Sequence, residues 1–179
     1  MSAVKIVVLC IASAVAYGLV HDQITVRVCL EYFTIGHPPV FPTRSPTLLA
    51  IGWGIIATWW CGLLLGVPLA LIARLGPRPK LQAGDFLRPI AIQLGCMGTV
   101  AAVAGVTGYF VARAGLVGLL DPLASEIPES VHVAFLADLW AHLASYATGF
   151  LGGVVVWVWA WRERSRRQRA SVAPNLASL

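Results

Sequence analysis

Residues 47–73 read TLLAIGWGIIATWWCGLLLGVPLALIA and contain no charged side chain. A helix of this length exceeds the hydrocarbon core of a bilayer, which is about 30 Å thick at about 1.5 Å of rise per residue. Small residues recur at every fourth position of the run: Ala50, Gly54, Thr58, Gly62, Gly66 and Ala70. Because lipid tails supply no hydrophobic drive between helices, membrane helices rely on close backbone contact along such grooves. The stretch therefore predicts a membrane-spanning helix that packs tightly against a neighbour.

Three further runs are long and apolar enough to span a bilayer, namely residues 4–22, 89–112 and 131–161. Hydrophobic residues make up 58% of the chain and charged residues 12%, and the mean hydropathy is +0.78, all far from the values of soluble domains. We therefore predict an all-α fold, an integral membrane four-helix bundle that forms a single domain over residues 1–161. The basic tail, residues 162–179, is predicted to be disordered.

Small residues also recur in the third and fourth spans. In the third span they are Ala91, Gly95, Gly98, Ala102 and Gly105. In the fourth span they are Ala141, Ser145, Gly149 and Gly153. These faces indicate a tight bundle, and they would also suit a homo-oligomer; the two interpretations are compatible.

Basic residues predict the orientation of the chain. The loop between the second and third spans carries Arg74, Arg78, Lys80 and Arg88. The tail carries five arginines, whereas residues 114–130 carry three carboxylates and no basic residue. By the positive-inside rule both termini are cytoplasmic, and residues 21–46 and 114–130 lie outside. Because the net charge of +5 sits beside apolar runs, the expected partners are the bilayer and, for the tail, anionic lipid headgroups, with no role for nucleic acid.

The first span has a second interpretation as a signal peptide. Lys5 precedes an apolar stretch that ends in Ala14-Val15-Ala16, a pattern typical of a cleavage site. Cleavage would leave three spans with the tail still inside, so the charge pattern fits both interpretations. Cysteines add no constraint, because Cys29 alone lies outside the predicted spans and no disulfide framework is implied.

Polar side chains concentrate in residues 21–37, HDQITVRVCLEYFTIGH. At about 1.5 Å per residue, counted from Trp161 on one helix and Lys5 on another, His142 and His21 reach a similar level near one boundary of the membrane. An ionisable group at such a boundary is costly unless it is paired or hydrated, so these side chains are expected to face one another. The predicted site comprises His21, Asp22, Glu31, Asp138 and His142, with His37 and His132 as neighbours.

Imidazole and carboxylate ligands suit a divalent metal such as zinc, and equally a general acid/base pair. The spacing matches no standard metal motif such as HExxH, and Asp138 with His142 could simply clasp two helices. Three functions stay open: a binding or accessory component, a membrane-embedded hydrolase or lipid-modifying enzyme, and a transporter protomer. The transporter is disfavoured because no span is visibly interrupted at mid-depth.

Residues 24–31 alternate apolar with polar side chains, a period typical of an extended chain. This pattern predicts an extended segment between the first two spans, lying over the outer mouth of the bundle; a plain loop is the alternative. The prolines that follow are expected to stiffen the return of the chain to the second span.

Three strings carry a family resemblance: HDQIT…EYFT after the first span, ATWWCGLLLGVPL over residues 57–69 and HLASYATGFLGG over residues 142–153. They resemble a group of small, uncharacterised bacterial multi-span membrane proteins. The resemblance covers three of the four spans. It implies a bacterial inner membrane and a four-helix layout, and it implies no activity.

Overall fold

The computed structural model describes the backbone of residues 2–176 and the side chains through residue 171. The described chain is helical, without a β-strand. Its α-helices are α1 Ser2–Thr25, α2 Leu30–Thr34, α3 Pro46–Ile56, α4 Trp59–Arg74, α5 Leu87–Arg113, α6 Leu123–Glu126 and α7 His132–Leu176. Two 3-10 turns, Ala83–Phe86 and Glu129–Val131, lead into α5 and α7. The predicted all-helical fold is confirmed.

Four helical stretches are long and apolar enough to cross a membrane. They are Ser2–Thr25, Pro46–Arg74, Ala83–Arg113 and Glu129–Ser171. Each contains one of the predicted spans or coincides with it to within a few residues. Pro46 occupies the first turn of α3, where its missing N–H costs nothing, and Gly76 with φ of 77° follows the end of α4.

The long helices form two pairs. Helix α1 packs along α3 and α4, α5 packs along α7, and a smaller contact between α4 and α7 joins the pairs. Glycines make the first pair close: a Cβ on Gly54 would lie 2.8 Å from the backbone nitrogen of Leu19, and one on Gly62 would lie 2.6 Å from Cα of Ile11. The groove predicted along the second span is therefore confirmed, and α1 fills it.

The small-residue face predicted for the third span is largely wrong. A Cβ added to Gly95 or Gly98 would meet no described atom within 4 Å. Helix α5 contacts α7 near its start through Gln93 and Met97. Further along, a Cβ on Gly108 would lie 2.8 Å from Cγ of Trp140, and one on Gly105, the glycine of the predicted face that does make contact, would lie 3.3 Å from Cβ of Ala141. The face of α5 that contacts α7 is thus rotated from the predicted one, since near the start of the helix it presents Gln93 and Met97 rather than Gly95 and Gly98.

Two apolar clusters hold the bundle, one at each end. The cluster nearer His21 and His142, here called the histidine end, is Val26, Cys29, Tyr32, Phe33, Leu49, Ala50, Trp53, Ile127 and Phe135. The cluster nearer Arg164, the arginine end, is Ile6, Leu69, Ala70, Ala73, Leu81, Phe86, Val156 and Ala160. Side chains of α1 and α7 face each other across the region between the clusters, and that region contains the cavity.

The second span is interrupted at residues 57–58, so the prediction of one continuous helix is wrong. The Thr58 hydroxyl donates to the carbonyl of Gly54, a side-chain bond that bends helices, and the Thr58 N–H donates to Ile55 instead of Gly54. The Tyr146 hydroxyl of α7 donates to the carbonyl of Ala57 at 3.4 Å. The break lies near the middle of Pro46–Arg74. The argument against a transporter assumed that no span is interrupted, and this break removes that argument.

The extended segment predicted over residues 24–31 is also wrong. Helix α1 continues to Thr25, a turn closes with the Cys29 N–H donating to the Thr25 carbonyl at 3.0 Å, and α2 follows. In an extended chain Ile24, Val26 and Val28 would share a face, but Val26 is buried while the other two are exposed. Burial at residues 26 and 29 follows turn spacing, because the turn folds both side chains into the cluster at the histidine end.

The tail differs from the predicted disorder, because α7 continues as a helix through Leu176; residues 177–179 lie outside the described part of the chain. Arg164 is buried, and its guanidinium donates to the carbonyls of Ile72, Leu75, Arg78 and Pro79. One turn on, Arg167 pairs with Asp85 at 2.7 Å. These contacts tie the end of α7 to the α4–α5 connection and favour its helical conformation.

Candidate functional site

Helices α1 and α7 bring His21, Asp22 and His142 together at the histidine end. The His142 Nε2 atom lies 3.5 Å from Oδ1 of Asp22. The rings of His21 and His142 meet edge to face, with centroids 4.6 Å apart and an angle of 79° between their planes. One potential ligand atom from each of the three residues lies within 4.8 Å of the other two. His21 and Asp22, near the end of α1, thus meet His142, the eleventh residue of α7.

The tautomer of His142 follows from a backbone contact. Its Nδ1 atom lies 2.8 Å from the carbonyl oxygen of Asp138, and because a carbonyl only accepts, Nδ1 carries the hydrogen. In the neutral ring Nε2 then holds a lone pair, and this lone pair faces the Asp22 carboxylate. Two acceptors at 3.5 Å repel unless a proton or a metal ion lies between them.

Two buried polar atoms near this pair lack a hydrogen-bond partner among the described residues, Nε2 of His21 and Oδ2 of Asp138. Burying a polar group without a partner costs about 1–3 kcal/mol, so such atoms are uncommon in folded proteins. His21 belongs to the three-residue group, and its Nε2 atom makes no hydrogen bond that would compete with an ion. The Asp138 carboxyl is not one of the three grouped ligands, and this residue meets His142 through its main-chain carbonyl.

Glu31 and His132, two other predicted site residues, lie apart from the group. Glu31 is in the first turn of α2, where its Oε2 atom is 3.6 Å from Sγ of Cys29. His132 begins α7, and its Nε2 atom is 2.9 Å from the carbonyl of Ile127. The position of Glu31 follows from the turn and short helix at residues 26–34, which replace the predicted extended segment, and His132 lies ten residues before His142 on the same helix.

His37 and Tyr32 cover the group from the segment between α1 and α3. The Tyr32 ring stacks on His142 with centroids 4.4 Å apart, and His37 packs against Trp53 at the same centroid distance. The Nδ1–H of His37 donates to the Tyr32 carbonyl at 2.7 Å. The sequence predicts His37 near the group but does not identify Tyr32. The alternating pattern of residues 24–31 suggests an extended chain, whereas the short helix that forms at Leu30–Thr34 places the Tyr32 ring on His142.

Burial shifts the pKa values of these covering residues, which lie outside the four long apolar helices. It raises the pKa of Tyr32 well above that of a free phenol and lowers the pKa of His37. The carbonyl of Tyr32 and the charge of Asp22 oppose the shift of His37, and the neighbouring His142 adds to it. Both side chains are therefore neutral near pH 7 and form an apolar, aromatic cover over the group.

A cavity of about 140 Å³ extends from the three residues into the bundle between the two helix pairs. His21, Asp22 and His142 line one end, and Leu69 and Trp157 line the other. The intervening wall is mostly apolar. Its polar side chains are largely occupied with protein partners: Gln93 and Trp157, for example, donate to backbone carbonyls. Among the described residues that line the cavity, His21, Asp22 and His142 are thus the three whose ligand atoms lie together.

The arrangement provides two imidazoles and one carboxylate on a single surface, with the backbone carbonyl of Asp138 fixing one ring. Such a set can hold a cation or exchange protons. Comparison with protein-family models, curated proteins and solved structures finds no match to this chain. The resemblance to small bacterial membrane proteins therefore stays a prediction.

Proposed function

We propose that this chain is an integral membrane protein whose His21, Asp22 and His142 bind a divalent metal ion, most simply zinc. One observation carries the proposal: the Nδ1–H of His142 is committed to Asp138, so the Nε2 lone pair faces the Asp22 carboxylate at 3.5 Å. A cation between these atoms turns their repulsion into two ligand bonds. The unpartnered Nε2 of His21 supplies a third.

The distance between His142 and Asp22 and the chemistry of the three side chains fit such an ion. Ligand atoms about 2.1 Å from a tetrahedral metal are about 3.4 Å from one another, close to the separation between His142 and Asp22. Metal-binding histidines usually donate their other ring N–H to a carbonyl or carboxylate, as His142 does. Three protein ligands leave a fourth position open, and here it would face the cavity.

The membrane placement is supported by the four long apolar helices and by the charge pattern. We place the arginine end in the cytoplasm, since the α4–α5 connection and the end of α7 carry most of the basic residues. The metal site then lies near the outer face. The family resemblance supports a bacterial inner membrane. In this setting the protein acts as a binding or accessory component.

Acid/base catalysis is the second candidate. It is favoured by the hydroxyls of Tyr17 and Ser145, which are hydrogen-bonded at 2.8 Å one turn from His21 and His142 respectively. A second proton on His142 would also relieve the repulsion with Asp22, and the site would then transfer protons within a membrane-embedded hydrolase or lipid-modifying enzyme.

Elemental analysis of the purified protein tests the metal proposal. The protein should carry no polyhistidine tag, because a tag binds metal itself. We expect about one divalent ion per chain, lost in His142→Ala and retained in His132→Ala, which changes another histidine of the same helix. A metal-free wild type, after purification without chelators and supply of zinc, would leave the acid/base candidate.

Labelling of introduced cysteines tests the orientation. Ser125 and Ser171 are both exposed, and they lie in the α6 segment and near the end of α7. In intact cells an impermeant thiol reagent should modify Ser125→Cys and not Ser171→Cys. The reverse pattern would place the metal site on the cytoplasmic side.

A further inference from the structure

The cavity below the three grouped residues is long and narrow. On α1 its lining runs from Asp22 to Cys10, a distance of about 18 Å at about 1.5 Å per residue. The centre of a water-sized sphere, about 1.4 Å in radius, can occupy about 140 Å³ of this space. Spread over this length, that volume is a path about 3 Å across for the centre of the sphere, so the slot itself is about 6 Å across. This is the width of one hydrocarbon chain, too thin for fused rings or for two chains side by side.

The length of the slot matches a lipid chain. One leaflet contributes about half of the hydrocarbon core of about 30 Å, so a chain of one leaflet reaches about 15 Å toward the middle of the membrane. The slot starts at the grouped residues and ends near Leu69 and Trp157, with apolar walls between. A chain whose headgroup sits at the histidine end would therefore lie in the slot much as it lies in the leaflet.

The polar end of the slot favours an anionic headgroup. A metal bound by His21, Asp22 and His142 keeps an open coordination position on the cavity side, and carboxylate or phosphate oxygens are ligands for such a position. Two neutral imidazoles leave the complex with a net positive charge, since a divalent ion exceeds the single charge of Asp22.

We propose that the slot binds one unbranched acyl chain whose anionic headgroup, a carboxylate or a phosphate monoester, completes the coordination of the metal. This inference rests on the proposed metal site. It assigns to the protein a ligand class: single-chain anionic amphiphiles drawn from the surrounding membrane.

Substitutions that fill the slot test the inference without touching the metal ligands. Ala14 lines the slot, two turns from His21, whereas Ala16 on the same helix is exposed. Leu94 and Ile92 form a second matched pair on α5, the first lining the slot and the second 57% exposed. The variants Ala14→Phe and Leu94→Trp are therefore compared with Ala16→Phe and Ile92→Trp.

The measurement is binding of radiolabelled hexadecanoate to the purified protein in mild detergent, with metal content determined on the same samples. Hexadecyl phosphate and hexadecanol serve as competitors. We expect about one hexadecanoate per chain in the wild type and in both controls, and at least tenfold weaker binding in Ala14→Phe and Leu94→Trp with unchanged metal. Stronger competition by hexadecyl phosphate than by unlabelled hexadecanoate would identify a phosphate monoester as the preferred headgroup, and the reverse would identify a carboxylate.

Failure of the inference and failure of the proposed function give different results. Wild type that holds metal but binds neither anionic probe overturns the inference and leaves the metal site intact. Binding that persists equally in the slot-filling variants and their controls, or equal competition by neutral hexadecanol, also overturns it. Probe binding by a protein that takes up no metal refutes the proposed function together with the headgroup assignment.

Discussion

The hydroxyl of Tyr17 lies 2.8 Å from the hydroxyl of Ser145, and this hydrogen bond joins α1 to α7 beside the cavity. The two helices belong to different pairs, so the bond links the pairs next to the grouped histidines. We expect Tyr17→Phe and Ser145→Ala each to lower the free energy of unfolding by about 1 kcal/mol. The double variant should lose less than the sum, because each single change removes the same bond.

Thermal and denaturant unfolding in detergent measure these values, and Tyr109→Phe is the control. Tyr109 lies at the exposed surface of α5, where loss of its hydroxyl should change stability by less than about 0.5 kcal/mol. Strict additivity of Tyr17→Phe and Ser145→Ala would mean that the hydroxyls act independently.

Asp22 and Asp138 make a matched pair for testing the metal site. Asp22 presents its carboxylate to His142, whereas Asp138 presents its main-chain carbonyl. The isosteric change Asp22→Asn should therefore abolish stoichiometric metal binding, and Asp138→Asn should retain it. Retention of metal by both variants, or its loss in Asp138→Asn alone, would contradict the assignment of ligands.

The meeting of His21 with His142 follows from the sequence because helical rise converts residue number into depth, and two helices of similar length reach one level. Depth carries no information on rotation about the helix axis. Glu31 illustrates this limit, since its position depends on a short helical turn whose alternating sequence also suits an extended chain. Sequence reasoning therefore identifies the two helices that build the site more reliably than the side chains that enter it.

Glycine patterns show a similar division. Gly54 and Gly62 contact α1 as a regular small-residue groove predicts, yet Gly95 has open space around it. Glycines that contact a helix and glycines that contact nothing have the same spacing in the sequence, because a small residue on an unpaired helix face costs little. Only the position of the partner helix separates them.

Gly62→Leu and Gly95→Leu turn this difference into a prediction. A Cβ at residue 62 would lie 2.6 Å from Cα of Ile11, so leucine there must push α1 and α4 apart. We expect a loss of about 3 kcal/mol or more, at the upper end of overpacking effects. Gly95→Leu should change stability by less than about 1 kcal/mol. Equal melting temperatures for the two variants in detergent would show that α1 does not occupy the groove.

The free energy of unfolding should fall as the pH drops below the ordinary pKa of a histidine, because burial lowers the pKa of His37 in the folded state. The unfolded chain then binds more protons, so the free energy of unfolding rises with pH. The stability that depends on neutral His37 is fully present above about pH 6.5, and it is lost as the pH falls from there toward the lowered pKa of His37.

The variant His37→Gln isolates this contribution. Its unfolding free energy, measured between pH 5 and 8 in steps of about one unit, should fall less steeply on acidification than that of the wild type. Identical slopes would show that His37 keeps a normal pKa and is open to water.

Arg164 should be essential for the arginine end of the bundle. Its guanidinium donates to four carbonyls, including those of Ile72 and Leu75 at the end of α4, where the helix leaves carbonyls without backbone partners. The ammonium group of a lysine is a compact point charge and cannot reach four acceptors arranged around a planar fork. We expect Arg164→Lys to cost about 1.5–3 kcal/mol, the range for hydrogen bonds to a charged group, with Arg169→Lys at an exposed position as the control. Thermal unfolding measures the loss, and limited trypsin digestion should release the end of α7 sooner in Arg164→Lys. A variant as stable and as resistant to trypsin as Arg169→Lys would show that the end of α7 is not held to α4 by this side chain.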